Sequence, residues 1–162
     1  KMVGEEFFGE ASQLIRLDMS EYKDTASMAR LLGSTGTSEL EQESVTFLDR
    51  VKQHPYSVVL LDEIEKANPQ FLDLFLQVLD EGRLTNARGE TINFTNTIII
   101  ATSNIGSKVL LESLSDSSMV FKDAKEKALS ELRDQMRIEF LNRFDQIIVF
   151  SPHTTEILEK IR

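Results

Sequence analysis

The sequence predicts an α/β domain built on a parallel, doubly wound sheet. Two uninterrupted apolar runs, residues 57–61 (SVVLL) and 97–102 (TIIIAT), have the length and β-branched composition of strands that are covered on both faces. Segments with helical spacing of apolar residues alternate with these runs, which is typical of doubly wound folds with right-handed crossovers. A composition of 41% hydrophobic and 28% charged residues over 162 positions fits one globular domain.

The part of the chain before the first of these runs predicts three helices and one strand. The expected elements are a helix over 1–8, a strand over 13–18, a helix over 25–32, a polar loop over 33–38 and a helix over 43–53. Gly9 and Gly33 are placed to end the first two helices. Pro55 separates the third helix from the strand that follows it.

The part after residue 63 predicts a helix, a hairpin and a helical region. Asn68 and Pro69 have the residue types of an N-cap and a first helical position, and the apolar stripe behind them ends near Gly82. The turn-forming residues 86–89 predict a small β-hairpin that projects from the domain. Further predicted elements are a helix over 108–114, a long amphipathic helix over 122–140 and a last strand over 146–150.

Polar side chains follow the two apolar runs. Asp62 and Glu63 come directly after the first run, and Asn104 follows the second. Since ligands of parallel sheets bind beyond the carboxyl ends of the strands, these three residues predict a site at one edge. Consecutive strand residues point to opposite sides, so one of these two carboxylates can face a metal–phosphate centre and the other an attacking water, which an amide such as Asn104 can orient. On local pattern alone, a simple turn after a buried strand explains the acidic pair equally well.

Composition argues against several kinds of partner. The net charge of −9 argues against a nucleic-acid surface and against an anionic membrane face, and no apolar stretch has the length of a transmembrane helix. There is no cysteine, which excludes disulfides and thiolate metal sites and is compatible with a reducing compartment. His54 and His153 have no partner at metal-ligand spacing. We expect a cytoplasmic protein that binds neither nucleic acid nor membrane.

Five segments carry a resemblance to a known family. They are residues 16–22 (RLDMSEY), 60–67 (LLDEIEKA), 77–85 (QVLDEGRLT), 102–107 (TSNIGS) and 139–145 (EFLNRFD). In this order and spacing the chain resembles the second ATPase domain of Clp-type AAA+ protein unfoldases and chaperones, over nearly its whole length. The resemblance implies a large AAA+ subdomain, which is a three-layer α/β sandwich of the P-loop NTPase type. It also implies a homo-oligomeric ring, a hexamer, that uses ATP and Mg²⁺ to remodel or unfold protein substrates.

The resemblance gives each candidate site residue a role. Asp62 is similar to the Walker B aspartate, which binds Mg²⁺ through water, and Glu63 is similar to the catalytic glutamate. Asn104 is similar to the sensor-1 residue, which contacts the nucleotide. Arg143 is similar to the arginine finger, which acts on nucleotide held by a neighbouring subunit and whose fixed charge suits phosphate oxygens. On local sequence alone, a surface ion pair is the simpler interpretation of Arg143.

Two parts of the family pattern are missing. The phosphate-binding motif G-x-x-x-x-G-K-[ST] does not occur, and the segment that corresponds to the small lid subdomain is also lacking. We therefore interpret residues 1–162 as a single AAA+ core fragment, N-terminally truncated, that runs from before Walker B to beyond the arginine finger. We expect the isolated chain to be inactive. An alternative is a nucleotide-inactive AAA+ scaffold, and a P-loop lysine within about 15 residues upstream in the parent protein would distinguish the two.

The first pore loop departs from the family pattern. The segment at equal spacing is Thr37, Ser38, Glu39 and Leu40, with serine where the family places an aromatic residue that grips the substrate. Substrate gripping is then weak, or the hairpin loop at 86–89 supplies it, or the parent protein has a specialised client. Residues 108–121 lack the Gly-Phe signature of a loop that docks on the Clp peptidase. This favours a chaperone over a protease subunit, with a peptidase partner left open.

Overall fold

A computed structural model describes residues 2–9, 13–24, 27, 31–32, 46–115 and 120–152. The chain divides into two compact units, Lys1–Ser103 and Asn104–Arg162. Among the described residues, the strands lie in the first unit and the regular elements of the second unit are helices. Within the described ranges, no helix combines the length and the apolar character that crossing a bilayer requires.

Three parallel strands form the main sheet of the first unit. They are β1 (Gln13–Asp18), β2 (Ser57–Asp62) and β5 (Ile98–Ala101), and β2 lies between the other two. The register places Asp18 opposite Asp62 at the carboxyl ends of β1 and β2. Most side chains of β2 are buried on both faces, as its uninterrupted apolar sequence predicts. The predicted parallel α/β sheet is confirmed.

Helices α1 (Met2–Phe8) and α2 (Phe47–Gln53) pack against this sheet, α1 on β2 and α2 on β1. The first ends as predicted at Gly9, which has a φ of 77° and donates its N–H to the Glu5 carbonyl at 3.0 Å. The second begins with a capping box in which Thr46 and Asp49 satisfy each other's backbone N–H groups. Local sequence signals therefore fix the ends of both helices.

Helix α3 (Pro69–Glu81) follows β2 and leads into a hairpin. Its N-cap is Asn68, whose side chain accepts the Gln70 N–H at 2.8 Å, and it ends at Gly82 in the left-handed conformation with a φ of 64°. The hairpin consists of β3 (Arg83–Thr85) and β4 (Thr91–Asn93).

The hairpin forms where it is predicted, but its base packs into the core. Leu84 and Ile92 are each 2% exposed, because β3 contacts α3 and β4 contacts α2. An aromatic cluster continues this packing: Phe71 and Phe75 stack at 5.0 Å between ring centroids, and Phe94, just after β4, lies 6.5 Å from Phe75. The hairpin strands therefore belong to the hydrophobic core of the first unit.

The second unit contains α4 (Ser107–Ser115), α5 (Phe121–Gln135) and the short α6 (Ile138–Leu141). Gly106, with a φ of 77°, precedes α4 and lies against α5. A Cβ atom built on Gly106 would come within 2.5 Å of the Ala128 Cβ. Close approach of the two helices therefore depends on the absence of a side chain at this position.

The prediction of one long helix over 122–140 is wrong. Helix α5 ends at Gln135, and Met136 is extended, with a φ of −107° and a ψ of 145°. Met136 is only 6% exposed, so the break in the helix accompanies burial of its side chain. The chain then turns again at Ile138 into α6.

The prediction of a last strand over 146–150 is also wrong. These residues have no regular secondary structure, and Ile148 and Phe150 are 64% and 82% exposed. A strand requires a hydrogen-bonding partner, and no strand in the described part of the chain pairs with this run. In the predicted helix at 25–32, Ser27 and Leu31–Leu32 are helical, while its other residues and the loop at 33–38 lie outside the described residues.

Candidate active site at the carboxyl end of β2

Asp62 is the last residue of the central strand, and two neighbours contact its carboxylate. Its Oδ1 accepts a hydrogen bond from the Thr102 hydroxyl at 2.5 Å, and its Oδ2 pairs with the Arg16 guanidinium from β1. The Thr102 hydrogen bond, followed by the contact with Arg16, lowers the pKa of Asp62 below its ordinary value. The carboxylate is therefore ionised at neutral pH, with 24% of the side chain exposed.

Glu63 leaves the strand in an unusual backbone conformation. Its φ of 56° and ψ of 52° are left-handed, and it is the one non-glycine residue with positive φ among those described. A glutamate in this region costs about 1–2 kcal/mol, so the surroundings must hold it there. Thr102 does so: its Oγ1 accepts the Glu63 N–H at 3.2 Å and its carbonyl accepts the Ile64 N–H at 2.9 Å.

Thr102 is therefore a clamp on the turn that follows β2. Its own N–H donates to the Leu61 carbonyl at 2.9 Å, which anchors it to the end of the central strand. With its hydroxyl it orients the Asp62 carboxylate and fixes the Glu63 backbone at the same time. One residue thus sets the geometry of both acidic residues.

The Glu63 carboxylate has a different cationic partner from Asp62. Its Oε2 lies 2.5 Å from the Lys66 Nζ, across the single 3₁₀ turn Ile64–Lys66. This hydrogen bond is the largest of the effects that raise the pKa of Lys66. The two adjacent carboxylates thus have different cationic partners, Arg16 for Asp62 and Lys66 for Glu63.

The neighbouring edge of β1 is fixed by side-chain hydrogen bonds. The Asp18 Oδ1 accepts the N–H and the hydroxyl of Ser20, at 2.9 and 2.6 Å, and these contacts lower the pKa of Asp18. Asn68 connects the turn after β2 to the same region, donating its N–H to the Tyr22 carbonyl and its amide to the Lys23 carbonyl. The loops beyond β1 and β2 are therefore held together.

The donor atoms fit a magnesium ion that is bound through water. Asp62 offers carboxylate oxygens next to a hydroxyl, which are the hard ligands that Mg²⁺ prefers, and Mg²⁺ usually keeps several waters and takes one or two carboxylates. In the ranges that the structure describes, no three His, Cys, Asp or Glu side chains are grouped to hold a metal by themselves.

Asn104 and Arg143, the other two predicted site residues, belong to the second unit. Asn104 is exposed just before α4, and its carbonyl accepts the Ser107 N–H at 3.2 Å. Arg143 is exposed just after α6 and donates its N–H to the Phe140 carbonyl at 3.2 Å. Their roles stay predictions. The predicted pore-loop residues Thr37, Ser38, Glu39 and Leu40 lie outside the described residues.

Three residues of the site were not identified from the sequence: Thr102, Arg16 and Lys66. The contact of Lys66 with Glu63 could have been predicted, because side chains three residues apart lie close together when the turn between them is helical. Arg16 is found only once β1 is known to pair with β2. Thr102 has no distinctive spacing and looks like the polar end of a strand.

Known proteins resemble this chain in sequence over nearly its whole length. The sequence profile of the AAA domain family (Cdc48 subfamily) matches residues 1–147. The chain is 51% identical over 166 residues to the chaperone protein ClpB of Aquifex aeolicus, covering 99% of this chain and 16% of that protein. It is 43% identical over 168 residues to ClpC/MecB, the negative regulator of genetic competence of Bacillus subtilis, covering 98% and 21%.

Solved structures give the same result. The chain superposes on Hsp104 in its complex with ADP from S. cerevisiae with a TM-score of 0.81 at 35% identity, covering 99% of this chain and 27% of that one. A closed-state reconstruction of Hsp104 with ATPγS and FITC casein gives a TM-score of 0.82 at 33% identity, with the same coverage. The chain thus spans about a sixth to a quarter of the proteins that it matches here. The chain belongs to the AAA domain family (Cdc48 subfamily), as a Clp-type AAA+ chaperone domain.

Proposed function

We propose that this domain supplies the Walker B and catalytic carboxylates of an ATP-hydrolysing chaperone subunit. The observation that carries the proposal is the turn after β2, where Asp62 ends the central strand and Glu63 is held in a left-handed conformation by Thr102. This arrangement places two adjacent carboxylates, each with its own cationic partner, at the carboxyl end of the central strand, where ligands of parallel sheets bind. The ClpB relatives, and the ADP and ATPγS named for Hsp104, support nucleotide as the ligand.

The residues divide the work of phosphoryl transfer. Asp62 would hold Mg²⁺ through water, and Mg²⁺ supplies charge neutralisation at the phosphates. Glu63 would polarise the attacking water, and Asn104 would orient that water and contact the nucleotide. Arg143 would reach nucleotide bound by a neighbouring subunit and stabilise the charge that develops on the phosphoryl group.

For the parent protein we propose a homo-oligomeric ring, a hexamer, that remodels or unfolds protein substrates in the cytoplasm. The ClpB relatives are named as chaperones, and one Hsp104 structure contains casein. Asp62–Glu63 and Arg143 would then act in adjacent subunits of the ring. A peptidase partner and a pore loop at 37–40 are further parts of this proposal that rest on resemblance alone.

The decisive experiment is Glu63→Gln in the full-length protein. The amide keeps the size of the side chain but cannot accept a proton from water, so we expect ATP to stay bound and unhydrolysed. ATP binding and phosphate release are measured on the same preparation. Glu81→Gln, which neutralises an exposed glutamate paired with Arg83, is the matched control and should leave both quantities unchanged. Undiminished phosphate release by the Glu63 variant would remove Glu63 from the proposed role.

We also propose that residues 1–162 alone neither bind ATP tightly nor hydrolyse it, because the sequence contains no phosphate-cradling loop. Calorimetric titration of this chain with Mg-ATP should show no binding in the micromolar range. Micromolar affinity would contradict this part of the proposal. Failure of the full-length protein to bind nucleotide would instead favour a scaffold or assembly role.

A further inference from the structure

The backbone of the turn after β2 brings Glu63 and Lys66 together as an ion pair. A 3₁₀ turn brings residues i and i+3 into line, and the Lys66 N–H donates to the Glu63 carbonyl at 2.9 Å. The turn is fixed on both sides, since Thr102 binds its first two N–H groups and Ile64 is buried with 4% exposure. The fixed backbone of the turn therefore places Lys66 within reach of the Glu63 carboxylate.

The pair has consequences for the chemistry proposed for Glu63. The hydrogen bond to Glu63, together with the negative charges of Glu63, Glu65 and Asp18, raises the pKa of Lys66, so the cationic form of Lys66 is favoured. A carboxylate oxygen that accepts a hydrogen bond from an ammonium group is less available to a water molecule. The other cation of the site, Arg16, contacts Asp62, so each carboxylate of the acidic pair is neutralised by a separate residue of the same chain.

We propose that Lys66 is a positioning residue that restrains Glu63 until nucleotide is loaded. The 2.5 Å ion pair between Lys66 Nζ and Glu63 Oε2 holds the carboxylate against the turn, and this contact must open before Glu63 can polarise the attacking water. The inference rests on the proposed function of Glu63 as the residue that activates water. Lys66 would act through Glu63 and not on the nucleotide.

The first test is steady-state ATP turnover by the full-length protein without protein substrate. Lys66→Met removes the charge and keeps most of the side-chain volume, and we expect kcat/KM for ATP to rise about two- to fivefold, the range of a partly exposed ion pair. KM for ATP should fall, because nucleotide binding no longer has to open the pair. Lys66→Arg keeps the cation and should restore the parent rate. Lys108→Met, which breaks an exposed pair with Glu112 in α4, should have no effect.

The second test detects the pair directly and does not depend on turnover. A carbodiimide activates the Glu63 carboxyl, the Lys66 amine displaces the resulting urea, and the amide formed leaves a peptide lighter by one water. We expect this product in the nucleotide-free full-length protein and a lower yield with Mg²⁺ and a non-hydrolysable ATP analogue. The yield at Lys108–Glu112 should be the same in both conditions.

The possible results distinguish the restraining role of Lys66 from the proposed role of Glu63 in ATP hydrolysis. A parent protein that hydrolyses ATP, together with an unchanged or lower kcat/KM in Lys66→Met, overturns the restraining role alone. A cross-link yield that does not fall with the bound analogue overturns it as well. A parent protein with no ATP turnover, or full turnover in Glu63→Gln, overturns the proposed function itself.

Discussion

Replacement of Thr102 by valine tests whether one hydroxyl organises the site. The change removes the 2.5 Å hydrogen bond to Asp62 Oδ1 and the 3.2 Å bond from the Glu63 N–H, with little change in side-chain volume. A hydrogen bond to a charged group contributes about 1.5–3 kcal/mol and a neutral one about 0.5–1.5 kcal/mol. Water replaces part of both at this exposed position, so we expect the free energy of unfolding to fall by about 1–2 kcal/mol.

The loss should depend on pH in a defined direction. The Thr102 hydrogen bond, followed by Arg16, lowers the pKa of Asp62, so the folded state binds the Asp62 proton less tightly than the unfolded state does. A carboxylate with a lowered pKa adds stability above its unfolded pKa and loses it as the pH falls through its folded pKa. The difference between parent and Thr102→Val should therefore be largest near neutral pH and should shrink below about pH 4.

Urea denaturation at several pH values, followed by circular dichroism, measures the difference in the free energy of unfolding between the parent and Thr102→Val. Thr102→Ser keeps the hydroxyl and should retain most of the stability. Thr85→Val removes an exposed hydroxyl from the hairpin, where it faces Thr91 at 3.3 Å, and serves as the control for adding a valine to a surface site. Equal stabilities of Thr102→Val and Thr85→Val at neutral pH would refute the conclusion that the Thr102 hydroxyl stabilises the turn after β2.

Three other substitutions give independent tests. Gly106→Ala and Gly9→Ala share a φ of 77°, but only the first places a Cβ 2.5 Å from another atom, so it should lose about 2 kcal/mol or more of stability beyond Gly9→Ala in urea denaturation. Phe75→Ala empties a fully buried position and should cost about 3–5 kcal/mol, whereas Phe150→Ala, 82% exposed, should cost almost nothing. If the full-length protein forms the proposed ring, Arg143→Ala should lower its ATP turnover about 10³-fold with nucleotide binding retained. In mixed rings, a defect confined to the nucleotide of the mutated subunit would contradict action in trans.

The parallel sheet and the position of the acidic pair could be predicted from the sequence, because both depend on a short local pattern of apolar and acidic residues. An apolar run such as residues 57–61 is stable only when it is covered on both faces, and two carboxylates directly after it must lie at the strand end. The ends of α3 were predicted for a similar reason, since Asn68 and Gly82 fix backbone conformations by their own chemistry.

The errors concern features that depend on distant contacts. The helical spacing of residues 122–140 contains no glycine or proline, yet the chain breaks at Met136, whose buried position is decided by packing. The apolar run at 146–150 has the composition of a strand but no strand partner in the described part of the chain. Thr102 was missed because its importance comes from β5 lying beside β2, which places the hydroxyl between Asp62 and Glu63.

Because Glu63 has a left-handed backbone conformation, the residue type that suits the proposed function at this position is not the one that gives the most stable fold. Asparagine and glycine adopt this conformation at less cost than glutamate, so either of them should make the isolated domain more stable. Neither can accept a proton from water as a carboxylate does. Selection of variants of this protein for expression or heat resistance should therefore enrich such replacements at position 63, and under the role proposed for Glu63 these variants would be well folded but catalytically inactive.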